Sequence, residues 1–159
     1  MVIASVDSAT TAGLAVVSRD PLRAVERLLF VDTIQIAGAS DVTEAVAELA
    51  LFGPDLFVVE QPFLGRNPTT FLSLAETYGR WRQAIETAGY AMIGVPASMW
   101  QPRVLPGFTP RMRSAERKTA AIGLIRELFD RDLEENAADA ACLGLYAARN
   151  TRIGDRSVA

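Results

Sequence analysis

This chain predicts an α/β fold with a five-stranded mixed sheet: three antiparallel strands, then two parallel ones, with helices on the faces. Two observations carry that expectation. Apolar runs and periodic stripes succeed one another as three strands, helix, strand, helix, strand and two helices. The fourth strand, Leu56-Phe57-Val58-Val59, is short and valine-rich, between Gly53-Pro54 and Pro62, as a buried central strand should be. No repeat or linker interrupts this order. Residues 1–150 are expected to form one domain and residues 151–159 a polar tail.

Residues 2–6 alternate loosely and end at Asp7, and the turn Ser8-Ala9-Thr10-Thr11-Ala12-Gly13 leads to a second apolar run over 14–17, giving a hairpin. Residues 28–36 alternate as a third strand. Ser40 or Asp41 is placed to cap the next helix, with Glu44 completing a capping box behind Asp41. Val42, Ala45, Val46 and Leu49 form its inner stripe, and Gly53-Pro54 stops it. After the fourth strand Asn67 is an N-cap and Pro68 suits the first helical position. Phe71, Leu74, Ala75, Tyr78, Trp81 and Ile85 recur at helical spacing until Gly89 closes the helix. That aromatic stripe suits packing on the sheet or a dimer interface. Residues 90–95 read as a fifth strand, and residues 97–110, with three prolines, as a surface loop. Helices are expected over 114–129, with Ile122, Ile125 and Leu128 inward, and over 135–149.

Composition narrows the chemistry. The 159 residues are 50% hydrophobic and 22% charged, an ordinary globular balance able to bury a core. No run approaches a membrane span and no basic leader precedes the first strand, so a cytoplasmic protein is expected. The single cysteine, Cys142, cannot form an internal disulfide. There are no histidines, which excludes Ser-His-Asp and Cys-His catalysis and His-based zinc sites. The net charge of −3 hides a segregation. Acids dominate 26–60 and 127–139, whereas Arg80, Arg82, Arg103, Arg111, Arg113, Arg117, Lys118 and Arg126 give 80–126 a basic excess. An acidic pocket beside a basic wall suits a metal-dependent enzyme acting on a polyanion.

Three carboxylates occupy telling positions. Asp7 ends the first strand, Glu60 ends the fourth, and Asp139 lies near the start of the last helix, three residues after Asn136 on a shared face. If the first and fourth strands are neighbours, Asp7 and Glu60 lie side by side. Like charges held that close are unfavourable unless a divalent cation sits between them. Oxygen donors of this kind suit Mg²⁺ or Mn²⁺, and two such ions serve phosphodiester cleavage.

Ile3-Ala4-Ser5-Val6-Asp7, Val59-Glu60-Gln61-Pro62-Phe63, Ser114-Ala115-Glu116-Arg117-Lys118 and Ala137-Ala138-Asp139-Ala140-Ala141, in that order, resemble the RuvC family of Holliday-junction resolvases. That family belongs to the ribonuclease H-like superfamily, and the compact form resembles its phage-type members. The resemblance spans almost the whole chain. It implies a ribonuclease H-like sheet and Mg²⁺-dependent nicking of branched DNA, four-way junctions or flaps, by a homodimer. It implies two ions held by Asp7, Glu60 and Asp139 with Asn136, and a catalytic role for Lys118 near the scissile phosphate. It further implies DNA contacts from Phe63, an aromatic that stacks at the branch point, and from Arg66, Arg111, Arg113, Arg117 and Lys118.

Two positions depart from the family pattern. Asn136 stands where an Asp or His is usual, so either its amide oxygen ligates weakly, or the adjacent Glu135 rotates in, or activity is reduced; the first is the favoured reading. Ser8-Ala9 follow Asp7 where many relatives have a glycine. Two other functions fit parts of the sequence: a non-catalytic branched-DNA scaffold on the same fold, and an actin-like kinase. The kinase fails on length and on the missing glycine-rich phosphate loops.

Overall fold

Strands β1 (Val2–Asp7), β2 (Thr11–Asp20), β3 (Val25–Gln35), β4 (Leu56–Gln61) and β5 (Met92–Pro96) pair in the order β3-β2-β1-β4-β5. β2 pairs antiparallel with both β1 and β3, and β4 and β5 add in parallel beyond β1, as expected from the sequence. The computed structural model describes residues 1–63 and 67–151. Within them lie α1 (Ala39–Ala50), α2 (Pro68–Thr87), α3 (Ala97–Val104), α4 (Ser114–Phe129) and α5 (Glu135–Asn150). No helix among the described residues is long and apolar enough to cross a membrane.

Strand side chains alternate between the two faces of the sheet. Ala4, Val6, Leu14, Val16, Phe57 and Val59 pack with Val46 and Leu49 of α1 and Trp81 and Ile85 of α2. Ile3, Ala15, Val17, Leu56, Val58 and Val95 pack beneath α3, α4 and α5. Asp7 has the parity of Ile3, and Glu60 that of Leu56 and Val58. Both therefore point to the α3–α4–α5 side. The register pairs Val6 with Val59, so Asp7 and Glu60 are the next residues of two neighbouring parallel strands.

Helix α5 makes the closest approach to the sheet. From Ala137 to Ala148 only Asp139 is not buried, a helix apolar on nearly all sides, as a central helix must be. Its small residues let the backbone descend onto β1 and β2. The Ser5 hydroxyl donates to the Ala140 carbonyl at 2.7 Å. A Cβ on Gly13 would lie 1.8 Å from the backbone oxygen of Asn136, and one on Gly144 2.6 Å from Ser5 Oγ.

The structure corrects several local expectations. The β2–β3 hairpin is far longer than its apolar centre, because polar residues continue the pairing out to Asp20 and Val25, where Asp20 Oδ1 accepts from the Leu22 and Arg23 amides. Gly38, not Ser40 or Asp41, caps α1. Asp41 sits one turn in and accepts from the Ala37 and Gly38 amides at 2.7 and 2.9 Å, while Glu44 is exposed. Residues 97–104 are a helix and not a loop. Burial of Trp100, Val104 and Leu105 outweighs the amide hydrogen bond that Pro102 cannot make. On α4 the buried pair is Ala121 and Ile125, with Ile122 only partly covered and Leu128 42% exposed. Asn67 does cap α2, accepting from the Thr69 and Thr70 amides. The aromatic stripe of α2 divides: Trp81 and Ile85 are fully buried, whereas Phe71, Leu74, Ala75 and Tyr78 are half-buried.

The fit of α5 generates a paired prediction. Gly13→Ala must push α5 away and should cost about 1–3 kcal/mol, as overpacking does. Gly123→Ala on α4, where an added Cβ meets nothing within 4 Å, should gain up to about 1 kcal/mol of helix propensity. Thermal melts of the two variants should move in opposite directions. Equal melting temperatures would refute the packing account.

Candidate active site

Three elements deliver carboxylates to one end of the sheet: Asp7 as the last residue of β1, Glu60 near the end of β4, and Asp139 from the second turn of α5. Each is placed by a local lock. The Asp7 carboxylate accepts from the Ala9 amide in the turn that follows it. The Ser8 hydroxyl donates to the Glu60 carbonyl at 2.9 Å and ties the ends of β1 and β4 together. Asp139 rides on α5, held down by Ser5 and by the absence of a side chain at Gly13.

The three groups act on one another. Burial and then the charge of Asp7 push the Glu60 carboxyl up to about 8; the Trp100 indole opposes this and Asp139 adds to it. Burial and then Asp7 raise Asp139 to about 7, against Lys118. Burial raises Asp7 to about 6, with the Ala9 amide and Lys118 opposing. Shifts of this size on clustered carboxylates mark groups short of positive charge. Among the described residues no three His, Cys, Asp or Glu side chains already converge as a ligand set. Glu60 is turned instead toward Trp100, whose indole Nε1 donates to its Oε2 at 2.8 Å.

The other sequence-derived site residues divide. Lys118 belongs to the cluster: it pairs with Glu135, and that hydrogen bond, with smaller help from Asp139 and Asp7, raises its pKa. Glu135 is thereby committed to Lys118. Asn136 points its amide at β2, Nδ2 donating to the Thr11 carbonyl at 2.9 Å. Phe63, three residues beyond Glu60, is 80% exposed. Arg111 is exposed, and Arg113 is exposed and pairs with Glu116 at 3.0 Å. Arg117 turns inward, donating through Nε to the Met112 carbonyl and through Nη1 to Gln101 Oε1, both at 3.1 Å, so it braces α4 against α3. Arg66 lies outside the described residues.

The basic wall read from the sequence is not continuous. Arg80 and Arg82 lie on α2, across the sheet from α4, and pair with Glu76 and Glu86. Arg126 pairs with Asp132, and Arg103 lies over the Tyr146 ring. The Cys142 thiol is buried and pushed up by that burial, which excludes it as a nucleophile. Trp100 is the site residue that sequence reasoning missed. It is 40 residues from Glu60 in a proline-rich stretch, and no spacing rule links the two.

No protein-family model and no curated protein sequence matches the chain. Solved structures share its fold. Thermus thermophilus RuvC in complex with Holliday junction substrate superposes with a TM-score of 0.71, covering 93% of this chain and 94% of that one at 20% identity. Fowlpox virus resolvase, in complex with substrate Holliday junction DNA, gives 0.64 over 94% and 97% at 16% identity. The yeast mitochondrial Holliday junction resolvase gives 0.58 over 89% and 75% at 10% identity. The chain therefore shares the fold of these resolvases, as the resemblance implied.

Two predictions follow from this geometry. Glu60 holds its proton more tightly folded than unfolded. As pH rises above about 4.5 the unfolded chain ionises first, so folding stability falls until about 8. In EDTA, Glu60→Gln should therefore melt with wild type near pH 4.5 and increasingly above it toward pH 8. The gap should be roughly 2–4 °C for each kcal/mol relieved. A gap independent of pH would contradict the burial account. Asn136→Asp sets a carboxylate against the Thr11 carbonyl in place of a donor, and should destabilise by about 1–3 kcal/mol in denaturant titration. An unchanged midpoint would show that the Thr11 contact carries no stability.

Proposed function

We propose that this chain, with the fold of the RuvC-type resolvases, is a divalent-metal-dependent endonuclease for branched DNA in the cytoplasm of a bacterium or phage-infected host. Its principal reaction is Holliday-junction resolution by symmetric nicking as a homodimer. The observation that carries this reading is the meeting of Asp7, Glu60 and Asp139 at one sheet end, each raised by burial, with the charge of Asp7 raising the other two further.

The donor set fits Mg²⁺, with Mn²⁺ in its place: all oxygen, largely desolvated, and short of positive charge. Asp7, Glu60 and Asp139 would hold two ions, with the Asn136 amide oxygen as a further donor. When bound, such ions activate a water and stabilise the departing oxygen of a phosphodiester. Drawing the carboxylates together as ligands works against their mutual repulsion, and the cation charge offsets it.

The remaining residues bind and orient DNA. Lys118 presents an ammonium beside the cluster, a point charge suited to the scissile phosphate once it leaves Glu135. Arg111, Arg113 and Arg66 would reach backbone phosphates, and Arg117 supports them as a brace. Exposed Phe63 offers a flat apolar face to an unstacked base at the branch. Contacts of this kind read backbone and shape more than base edges, so affinity should fall steeply with salt.

A second reading, a non-catalytic branched-DNA scaffold, draws on a neutral amide at Asn136, whose nitrogen is tied to the Thr11 carbonyl. One assay separates the two. End-labelled four-way junction, flap and plain duplex are incubated with the protein in Mg²⁺ or Mn²⁺, beside Glu60→Gln. Paired nicks near the junction centre are expected. In the variant they should fall by on the order of 10²-fold or more, as when a preorganised charge is removed, with junction binding retained. Binding without cleavage at every metal concentration supports the scaffold instead.

A further inference from the structure

We propose that Trp100 is a positioning residue for Glu60: its indole N–H anchors one carboxylate oxygen and so presents the group to the cation that it shares with Asp7 and Asp139. The inference rests on the function proposed above and adds to it a residue outside the carboxylate set.

Trp100 is fully buried, and its Nε1 donates to Glu60 Oε2 at 2.8 Å, a good hydrogen-bond distance. The contact is not simply a way to satisfy a buried indole. The other tryptophan, Trp81, is equally buried and its Nε1 has no acceptor among the described residues, so burial alone does not bring an indole of this fold to a carboxylate. Trp100 is instead aimed at the one carboxylate that β4 carries to the sheet end. Its carrier is also held from outside. Gln101, the next residue of α3, accepts from Arg117 of α4 at 3.1 Å, and Arg117 also holds the Met112 carbonyl. Lys118 follows Arg117 directly. One bracket therefore runs from Glu60 through Trp100 and Gln101 to Arg117, setting the β4 carboxylate and the α4 ammonium relative to each other. Partners that hold a metal ligand from behind typically change metal affinity 10–100-fold when removed.

The test needs the N–H deleted with the ring kept. Trp100→Phe does this approximately. Replacement of Trp100 by benzothienylalanine, which has sulfur in place of N–H, does it with nearly unchanged shape and guards against a folding defect in the first variant. Three readouts are taken. In ¹⁵N-labelled protein the two indole N–H signals are assigned with Trp81→Phe; the Trp100 signal should lie downfield of the Trp81 signal and move in Glu60→Gln. Mn²⁺ binding without DNA, followed by the paramagnetic signal of the free ion, should weaken about 10-fold or more in both Trp100 variants. The Mg²⁺ concentration for half-maximal nicking should rise by a similar factor, with activity recovering at high metal. An indole signal indifferent to Glu60→Gln overturns the contact. Variants that bind Mn²⁺ as tightly as wild type overturn the positioning role alone. Wild-type protein that takes up no Mn²⁺ and nicks no junction overturns the function reading and this inference together.

Discussion

Everything at the site depends on how closely α5 lies on the hairpin. Ordinary side chains between two packed layers hold their backbones apart, as the spacing of about 10 Å between stacked sheets shows. Here Gly13 admits the Asn136 carbonyl into space that any Cβ would fill, and Gly144 does the same beside Ser5. Ser5, fully buried in β1, converts that proximity into a hydrogen bond with the Ala140 carbonyl. The alanines around it serve the same end by burying little volume and leaving the backbone near the strands. Lift this helix and Asp139 leaves the cluster, while Asp7 and Glu60, fixed by neighbouring strands, stay where they are. The assembly of the site is thus a packing event before it is an electrostatic one.

Strand parity and desolvation then do opposite things to the carboxylates. The period-two alternation of β1 and β4 turns both side chains to the same face and leaves no freedom to separate them. Burial meanwhile disfavours their ionisation, and each ionised neighbour disfavours the next. The local donors counter this only in part. The Ala9 amide and Lys118 favour the charged form of Asp7, and the Trp100 indole that of Glu60, yet all three carboxyls remain raised. Structural carboxylates are ordinarily paired and lowered, as Asp41 is by the Gly38 and Ala37 amides and Glu116 by Arg113. The contrast within one chain separates acids that stabilise the fold from acids that the fold holds against their preference.

What the sequence made legible was whatever rests on local pattern. Apolar runs and helical stripes gave the order of elements, and the order of elements gave the mixed sheet. Asp7, Glu60 and Asp139 were visible because each ends or begins an element, where position follows directly from pattern. Features set by tertiary burial were hidden. Pro102 argued for a loop, and only the buried side of Trp100 and Val104 makes α3 a helix. The inner face of α4 was misjudged because Leu128 is more apolar than Ala121, yet the close approach of α5 selects the smaller residue. Charge segregation along the chain misled for a related reason. Residues 80–126 are contiguous in sequence but straddle the sheet, so linear clustering did not become one surface.

The pairing of the basic residues also bears on how a polyanion would be bound. Lys118 with Glu135 and Arg113 with Glu116 are exposed or half-exposed ion pairs. Such pairs contribute little, because water and salt screen them. A backbone phosphodiester carries the same single charge as a carboxylate, but its binding releases condensed counterions, which favours exchange of a carboxylate partner for a phosphate. Arg117 is different, since its donors serve the Met112 carbonyl and Gln101 and hold α3 in place. To recruit it to DNA would loosen the support behind Trp100, and through it Glu60. Lys118 and Arg113 are therefore solvent-facing and exchangeable, whereas Arg117 faces inward and joins α4 to the carboxylates.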